Sequence, residues 1–328
     1  MKKSIKSIIC MALGLSLAGV SPLCAAEYTA VDIAASPAGG AWYVGLGAYA
    51  KVLSDMYPEF EVTLFPGGAN ANVLRVAKGA SWIGATMLPN MKAAADGLDP
   101  YKTPIRNIAA LANIQDVTRL HFVVPADSPV TSLREIAEKK IPVRMGTGVV
   151  GGNAELFARW VLEEYGINKQ RIKEWGGSVH HLKTSEAQAM LAENQLDVHT
   201  WMGPGESFVY SELVKTRPIR ILDVDEDVLA AVAEKYGLTP GVIPASFYGG
   251  IMGRDVKTVV SSAGLMVNRD IPDDAAYKFA RALDKGRRDI AVALPSWGDM
   301  TSENICRGLP VELHPGAARY YKESGCLQ

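Results

Sequence analysis

Apolar residues along this chain alternate between short runs with strand character and longer stripes with helical spacing, and the alternation repeats. From Val31 to Met87 the pattern predicts a strand at Tyr28–Ala35, a helix at Ala41–Tyr57 stopped by Pro58, and a strand at Glu59–Phe65. A helix at Asn70–Lys78 ended by Gly79 and a strand at Trp82–Met87 complete that unit. From Val143 to Met202 the same order recurs, with a helix at Asn153–Tyr165 closed by Gly166, a short polar strand at Arg171–Trp175 and a helix at Glu186–Asn194. Glycine pairs punctuate both units: Gly39-Gly40 and Gly67-Gly68 in the first, Gly151-Gly152 and Gly176-Gly177 in the second. Each unit reads as βαβαβ, which builds a small parallel sheet with right-handed crossovers. Ligands of such sheets bind beyond the carboxyl ends of the strands, so two units facing each other bring four glycine turns to one cleft.

The remaining elements connect these units. Ile105–Ile114 and Leu120–Pro125 read as a strand pair leading into the second lobe. Ser132 with Glu135, and Ser185 with Gln188, read as capping boxes for the helices that follow them. A strand at Ile219–Val224, a helix at Val228–Tyr236, a strand at Ser261–Asn268 and a long helix at Asp273–Leu294 come next, with a last helix near Ala317–Glu323. The C-terminal portion has no glycine-turn repeat and is expected to return to the first unit. The predicted fold is therefore α/β, two βαβ-type lobes joined by a hinge in the outline of a clamshell binding protein. Lobe one comprises 27–115 plus 251–328 and lobe two 116–250, with hinge strands near 115 and 250.

Residues 1–26 differ from the rest. Lys2, Lys3 and Lys6 precede an apolar stretch, Ile8–Val20, too short to span a bilayer, and Cys24-Ala25-Ala26 offers small residues for cleavage before Glu27. This predicts a secretory signal cleaved after Ala26 and an exported, periplasmic protein; Leu23 before Cys24 argues against lipidation. The 34 basic residues less the three leader lysines leave 31 against 35 acidic, a net charge of −4. A dispersed acidic balance gives no footprint for nucleic acid or an anionic membrane. Cys306 and Cys326 are the two cysteines left in the mature chain, and an even pair in an oxidising compartment predicts a disulfide. In the chain-entropy model a loop of this length is worth about 3 kcal/mol.

Several chemistries fall away on pattern. Gly146-x-Gly148-x-x-Gly151 matches a dinucleotide fingerprint in letters, but no acid ends the following strand as the ribose requires. Those glycines read better as an anion cradle, in which backbone N–H groups and the positive end of a helix hold a carboxylate or phosphate. Asp223, Asp225 and Asp227 with Glu234 imitate a calcium loop but lack its glycine, Val228 standing there, and read as an acidic helix start. No Gly-Lys-Ser/Thr, no Gly-x-Ser-x-Gly and no converging zinc ligands occur, so metal, cofactor and nucleophilic catalysis have no support. What remains are small polar and aromatic residues at the turns. The candidate ligand-binding set is Gly40, Trp42, Tyr43, Asn70, Asn72, Thr147, Gly148, Val150, Asn153, Trp201 and Tyr248, with Ser178 at the fourth turn.

Several of these stretches carry a family resemblance. Pro37-Ala38-Gly39-Gly40-Ala41-Trp42-Tyr43, Pro66-Gly67-Gly68-Ala69-Asn70-Ala71-Asn72 with Arg75 and Gly79, Met145-Gly146-Thr147-Gly148, and above all Leu313-His314-Pro315-Gly316-Ala317-Ala318-Arg319-Tyr320-Tyr321 are the segments concerned. Together they resemble the TAXI class of solute-binding proteins, which serve tripartite ATP-independent periplasmic (TRAP) transporters. The resemblance implies a type II periplasmic binding protein clamshell, monomeric and non-catalytic, without cofactor or metal, that delivers a small organic anion to a sodium-coupled permease. It also implies a less polar lobe-one wall than usual, since Ala69, Trp82 and Met87-Leu88-Pro89-Asn90 replace more polar family residues. A periplasmic sensor or adaptor docking on a receptor is the alternative, and an exported enzyme on the same scaffold a more distant one.

Overall fold

The computed structural model describes residues 29–328; the signal segment, the Ala26 cleavage site and Cys24 lie outside the described residues. In the first unit, β1 (Thr29–Ala34), α1 (Ala41–Met56), β2 (Phe60–Phe65), α2 (Ala69–Ala77) and β3 (Ile83–Met87) follow the predicted order. β1 is paired in parallel with β2 on one side and β3 on the other. α1 buries Leu46, Tyr49 and Leu53 on one stripe, the 3.6-residue period that docks a helix on a sheet. A helix absent from the sequence reading, α3 (Leu88–Asp96), starts directly at the end of β3, with Pro89 in its first turn and left-handed Gly97 at its close.

The connection to the second unit differs from the expected strand pair. β4 (Ile108–Pro125) is one 18-residue strand. It runs through because Gln115 takes a left-handed conformation, φ 56°, and the register shifts there instead of breaking. After α4 (Leu133–Lys139), capped by the Ser132 hydroxyl accepting from Glu135 N, come β5 (Arg144–Thr147) and α5 (Asn153–Glu164). The predicted strand at Arg171–Trp175 is a helix, α6 (Lys169–Glu174). Asn168 accepts from Arg171 N at its start, and only Ile172 of the helix is buried, so its polarity marks a surface helix. The strand is β6 (Ser178–His181), which follows Gly176-Gly177 where the sequence reading had it precede them. α7 (Thr184–Ala192) begins after Lys183 without a side-chain cap, so the Ser185/Gln188 box is not formed. β7 (Val198–Gly203), α8 (Phe208–Leu213), β8 (Ile219–Ile221), α9 (Glu226–Tyr236) and β9 (Thr239–Ile243) complete this half.

β10 (Val256–Asn268) begins earlier than predicted and, with β4, passes between the halves. The strand order is β2-β1-β3-β10-β4-β7-β5-β6, with β8 on β4 and β9 on β10. The β3 side of this order is the first parallel unit and the β7 side the second, joined by the antiparallel pair β4/β10. α10 (Asp273–Ala293) and α11 (Pro315–Glu323) return to the first half, where α10 packs on α1 and α11. Cys306 and Cys326 are bonded, with Cα atoms 6.2 Å apart. The segment they tether lies along β4 at its bend, where Asn113 N donates to Ile305 O at 2.7 Å and Asn113 Nδ2 to Arg307 O at 3.0 Å.

Candidate functional site

Three helices begin at the carboxyl ends of strands β1, β2 and β5, and each has a glycine as its N-cap residue. Gly40 precedes α1, Gly68 precedes α2 and Gly152 precedes α5, each in extended backbone with no cap side chain of its own, and Ser36 Oγ takes up one first-turn N–H of α1, that of Tyr43, at 3.0 Å. Uncapped first-turn N–H groups carry the positive end of the helix dipole, so these termini remain available to an external acceptor. They converge on one cavity of about 480 Å³. Ser36, Pro37, Ala41 and Trp42 line it from the first turn, Gly67, Gly68 and Ala69 from the second, and Val149 to Asn153 from the third. No lysine, arginine or carboxylate lines it. Glu155, in the first turn of α5, is buried and turned to Arg159 Nε at 2.9 Å.

The second turn owes its shape to Asn72. Its Nδ2 donates to the carbonyls of Ala34, Ala35 and Ala85 at 3.2, 2.9 and 2.7 Å, and its Oδ1 accepts from Gly68 N at 3.3 Å. A Cβ on Gly67 would lie 2.1 Å from that Oδ1, so the turn needs glycine there. Asn72, expected at the ligand, is thus buried as a brace with both amide atoms engaged by the backbone. Trp42 does line the cavity, with its Nε1 donating to Asp116 Oδ2 at 3.0 Å. Burial pushes the Asp116 carboxyl up, while the Trp42 indole holds it partly down.

Other expected residues separate. The structure brings Gly40, Trp42, Asn70, Val150 and Asn153 to the turns around the cavity. Tyr43 packs its ring on the core, its N–H donating to Ser36 Oγ at 3.0 Å. Thr147 turns into lobe two, with Oγ1 3.0 Å from His181 Nδ1. Gly148 faces α5, since a Cβ there would lie 3.0 Å from Ala154 Cβ and 3.2 Å from Glu155 N. Trp201 lies against His121, ring centroids 4.7 Å apart, instead of at the cleft, because its side chain stands on the sheet face it shares with His121 and His199. Tyr248 is 2% exposed, behind the cleft; its hydroxyl accepts from Ser207 N at 3.2 Å and lies 3.2 Å from His121 Nε2. Gly176-Gly177 and Ser178 sit at the amino end of β6, away from the cavity, with Ser178 Oγ 2.8 Å from His180 Nε2. Sequence reasoning missed Asn90 and Tyr101, which contact Asn70, although Asn90's place just past a strand's carboxyl end was a usable signal.

Among the described residues no group of three His, Cys, Asp or Glu side chains could hold a metal. The acids of the calcium-like run are engaged by arginines: Asp223 with Arg254, and Asp225 and Asp227 with Arg134. No described helix is long and apolar enough to cross a membrane.

A family match covers residues 33–325. The chain belongs to the NMT1-like family. Among solved structures, the NMT1-like chain is similar to XAC2383 from Xanthomonas citri bound to ATP, at 13% identity over 90% of this chain and 95% of that one, with a TM-score of 0.54. It is also similar to PhnD1 from Prochlorococcus marinus in complex with methylphosphonate, at 12% identity over 92% and 98%, TM-score 0.52. A TctC solute-binding protein from Polaromonas matches at 17% identity over 91% and 98%, TM-score 0.51. Likeness at these identities shows the fold, a two-lobed binding-protein clamshell.

Proposed function

We propose that this protein is a non-catalytic, periplasmic solute-binding protein that closes its two lobes over a small organic anion with one charged head and an apolar body. The observation that carries this reading is the convergence of three glycine-led helix N-termini on a cavity with no charged side chain in its lining. Such a site favours one negative charge held by backbone N–H groups. It offers nothing to a second carboxylate or to an ammonium group, and Pro37, Ala41, Trp42 and Val150 supply apolar walls for the remainder. The methylphosphonate of one structural relative is likewise a small anion with a single charged head, which fits the reading. The segment matches to the TAXI class extend it to delivery to a TRAP-type permease.

Lobe closure turns on β4 and β10. In this reading one hinge lies at Gln115 and Asp116 and the other in β10, supported by the left-handed Gln115 and by the register shift of β10 against β4 beyond Ser262. Mass spectrometry of protein purified from periplasm under native conditions should show one bound small anion, released on unfolding. Recovery of a cationic or neutral ligand instead would overturn the reading.

A further inference from the structure

Four polar groups drawn from both lobes form a chain beside the cavity, and their chemistry allows one assignment of donors and acceptors. The Gly151 carbonyl can only accept, so the Asn70 atom 3.1 Å from it is the amide nitrogen. The oxygen of Asn70 therefore faces the other way, where it meets Asn90 and, at 3.3 Å, the Tyr101 hydroxyl. The Asn90 atom in contact with it must then be a nitrogen. That same nitrogen lies 3.3 Å from Asn153, which consequently presents its oxygen to Asn90. The amide nitrogen of Asn153 is left pointing away from Asn90, and Asn153 lines the cavity. Burial raises the Tyr101 phenol, so its hydroxyl stays a donor throughout the neutral range. Asn90 itself is fully buried and touches no cavity wall.

We propose that Asn90 is a positioning and specificity residue. It latches the lobes together and, by taking the oxygen of Asn153, fixes that side chain as a hydrogen-bond donor to whatever occupies the cavity. This inference rests on the anion-binding reading for its consequence and on the hydrogen-bond geometry for its mechanism. The relay starts in lobe two at Gly151, passes through Asn70 and Asn90 in lobe one, and returns to lobe two at Asn153. It is complete only when the lobes are closed, so the donor face is assembled by closure. An ion pair between Arg159 and Asp99, at 2.5 Å, bridges α5 to the loop after α3 and flanks the relay. The one side-chain group this relay turns toward the cavity, the Asn153 amide nitrogen, is a donor. The site is thereby matched to a fully ionised head such as a carboxylate or sulfonate, and mismatched to a head that must itself donate a proton.

The test uses the full mature chain with spin labels placed on the exposed faces of the two lobes, and methanesulfonate and acetate as probes. Asn90→Leu should reduce the short-distance, closed population roughly tenfold, the effect of losing hydrogen bonds worth about 1 kcal/mol each. Asn153→Asp still accepts from Asn90, so it should keep the closed population while losing probe binding. Thermal melting of both variants identifies the folded protein on which distances are read. An Asn90→Leu protein that is folded and closes as wild type does, or an Asn153→Asp protein that binds the probes as tightly as wild type, would overturn the proposal. If neither probe binds the wild type, the anion reading fails while the labels still report on the latch, so the two failures are distinguishable.

Discussion

The two βαβαβ units share a grammar of glycine turns, yet they use it differently. In the first, Gly67-Gly68 leaves the carboxyl end of β2 and opens α2, with an uncharged amide, Asn72, bracing the turn from behind. In the second, Gly176-Gly177 ends α6 and opens β6, so the same dipeptide lies at the opposite edge of its sheet. Behind the second unit's cleft edge sits a titratable cluster, His121, His199, Tyr210 and Tyr248, where the first unit has a neutral brace. The lesson is that a glycine pair marks a binding turn when it follows a strand, and that the two lobes should respond differently to acid and to substitution.

Acid should separate the lobes most strongly. Burial pulls both His121 and His199 down to about 4 from the usual imidazole value. His121 Nδ1 faces the Arg119 carbonyl at 3.1 Å and therefore carries the proton, leaving Nε2 to accept from Tyr248. A depressed folded-state value means that the unfolded chain binds more protons between pH 4 and 6.5. Stability is therefore full above about 6.5, falls as pH drops through that window and levels off below 4, by up to about 3 kcal/mol per histidine. Denaturant melts monitored across that range should show the loss, and His199→Phe should remove about half of it. A melt independent of pH between 4 and 6.5 would show that these rings do not carry the difference.

The brace of the first lobe should show its effect at every pH. Asn72→Ala removes the amide that donates to the carbonyls of Ala34, Ala35 and Ala85 and opens a void, for an expected cost of about 3 kcal/mol in equilibrium unfolding. Because no ionisable group is involved, that cost should be the same at pH 5 and pH 8; a pH-dependent cost would blur the contrast between the lobes.

Much of the first unit was legible because its apolar stripes and turns sit where strand and helix periods change. The second was harder. α6 has one buried residue, so its period carried no signal, and its capping Asn168 was the overlooked cue. Trp201 was placed correctly on its strand but not on its face, since neighbouring positions of a strand point oppositely. The bend in β4 hides in Gln115, a residue type that gives no warning of a left-handed φ. Asn90 and Asn153 are 63 positions apart, and nothing local in either stretch announces that they meet.

The central claim, that the turns after β1, β2 and β5 bind an anion through their backbone, meets its most direct test at Gly68. Gly148 is a poor choice, since a side chain there presses on α5. Gly68 has extended backbone, φ −165°, and a Cβ on it meets no protein atom within 4 Å, while the residue lines the cavity. Gly68→Val should therefore fold and melt as wild type does but fill the space the anion head needs. Calorimetric titration with the co-purified anion should show affinity reduced by at least about 2 kcal/mol, roughly 30-fold. A folded Gly68→Val protein with wild-type affinity would contradict the account and place the anion away from these helix ends.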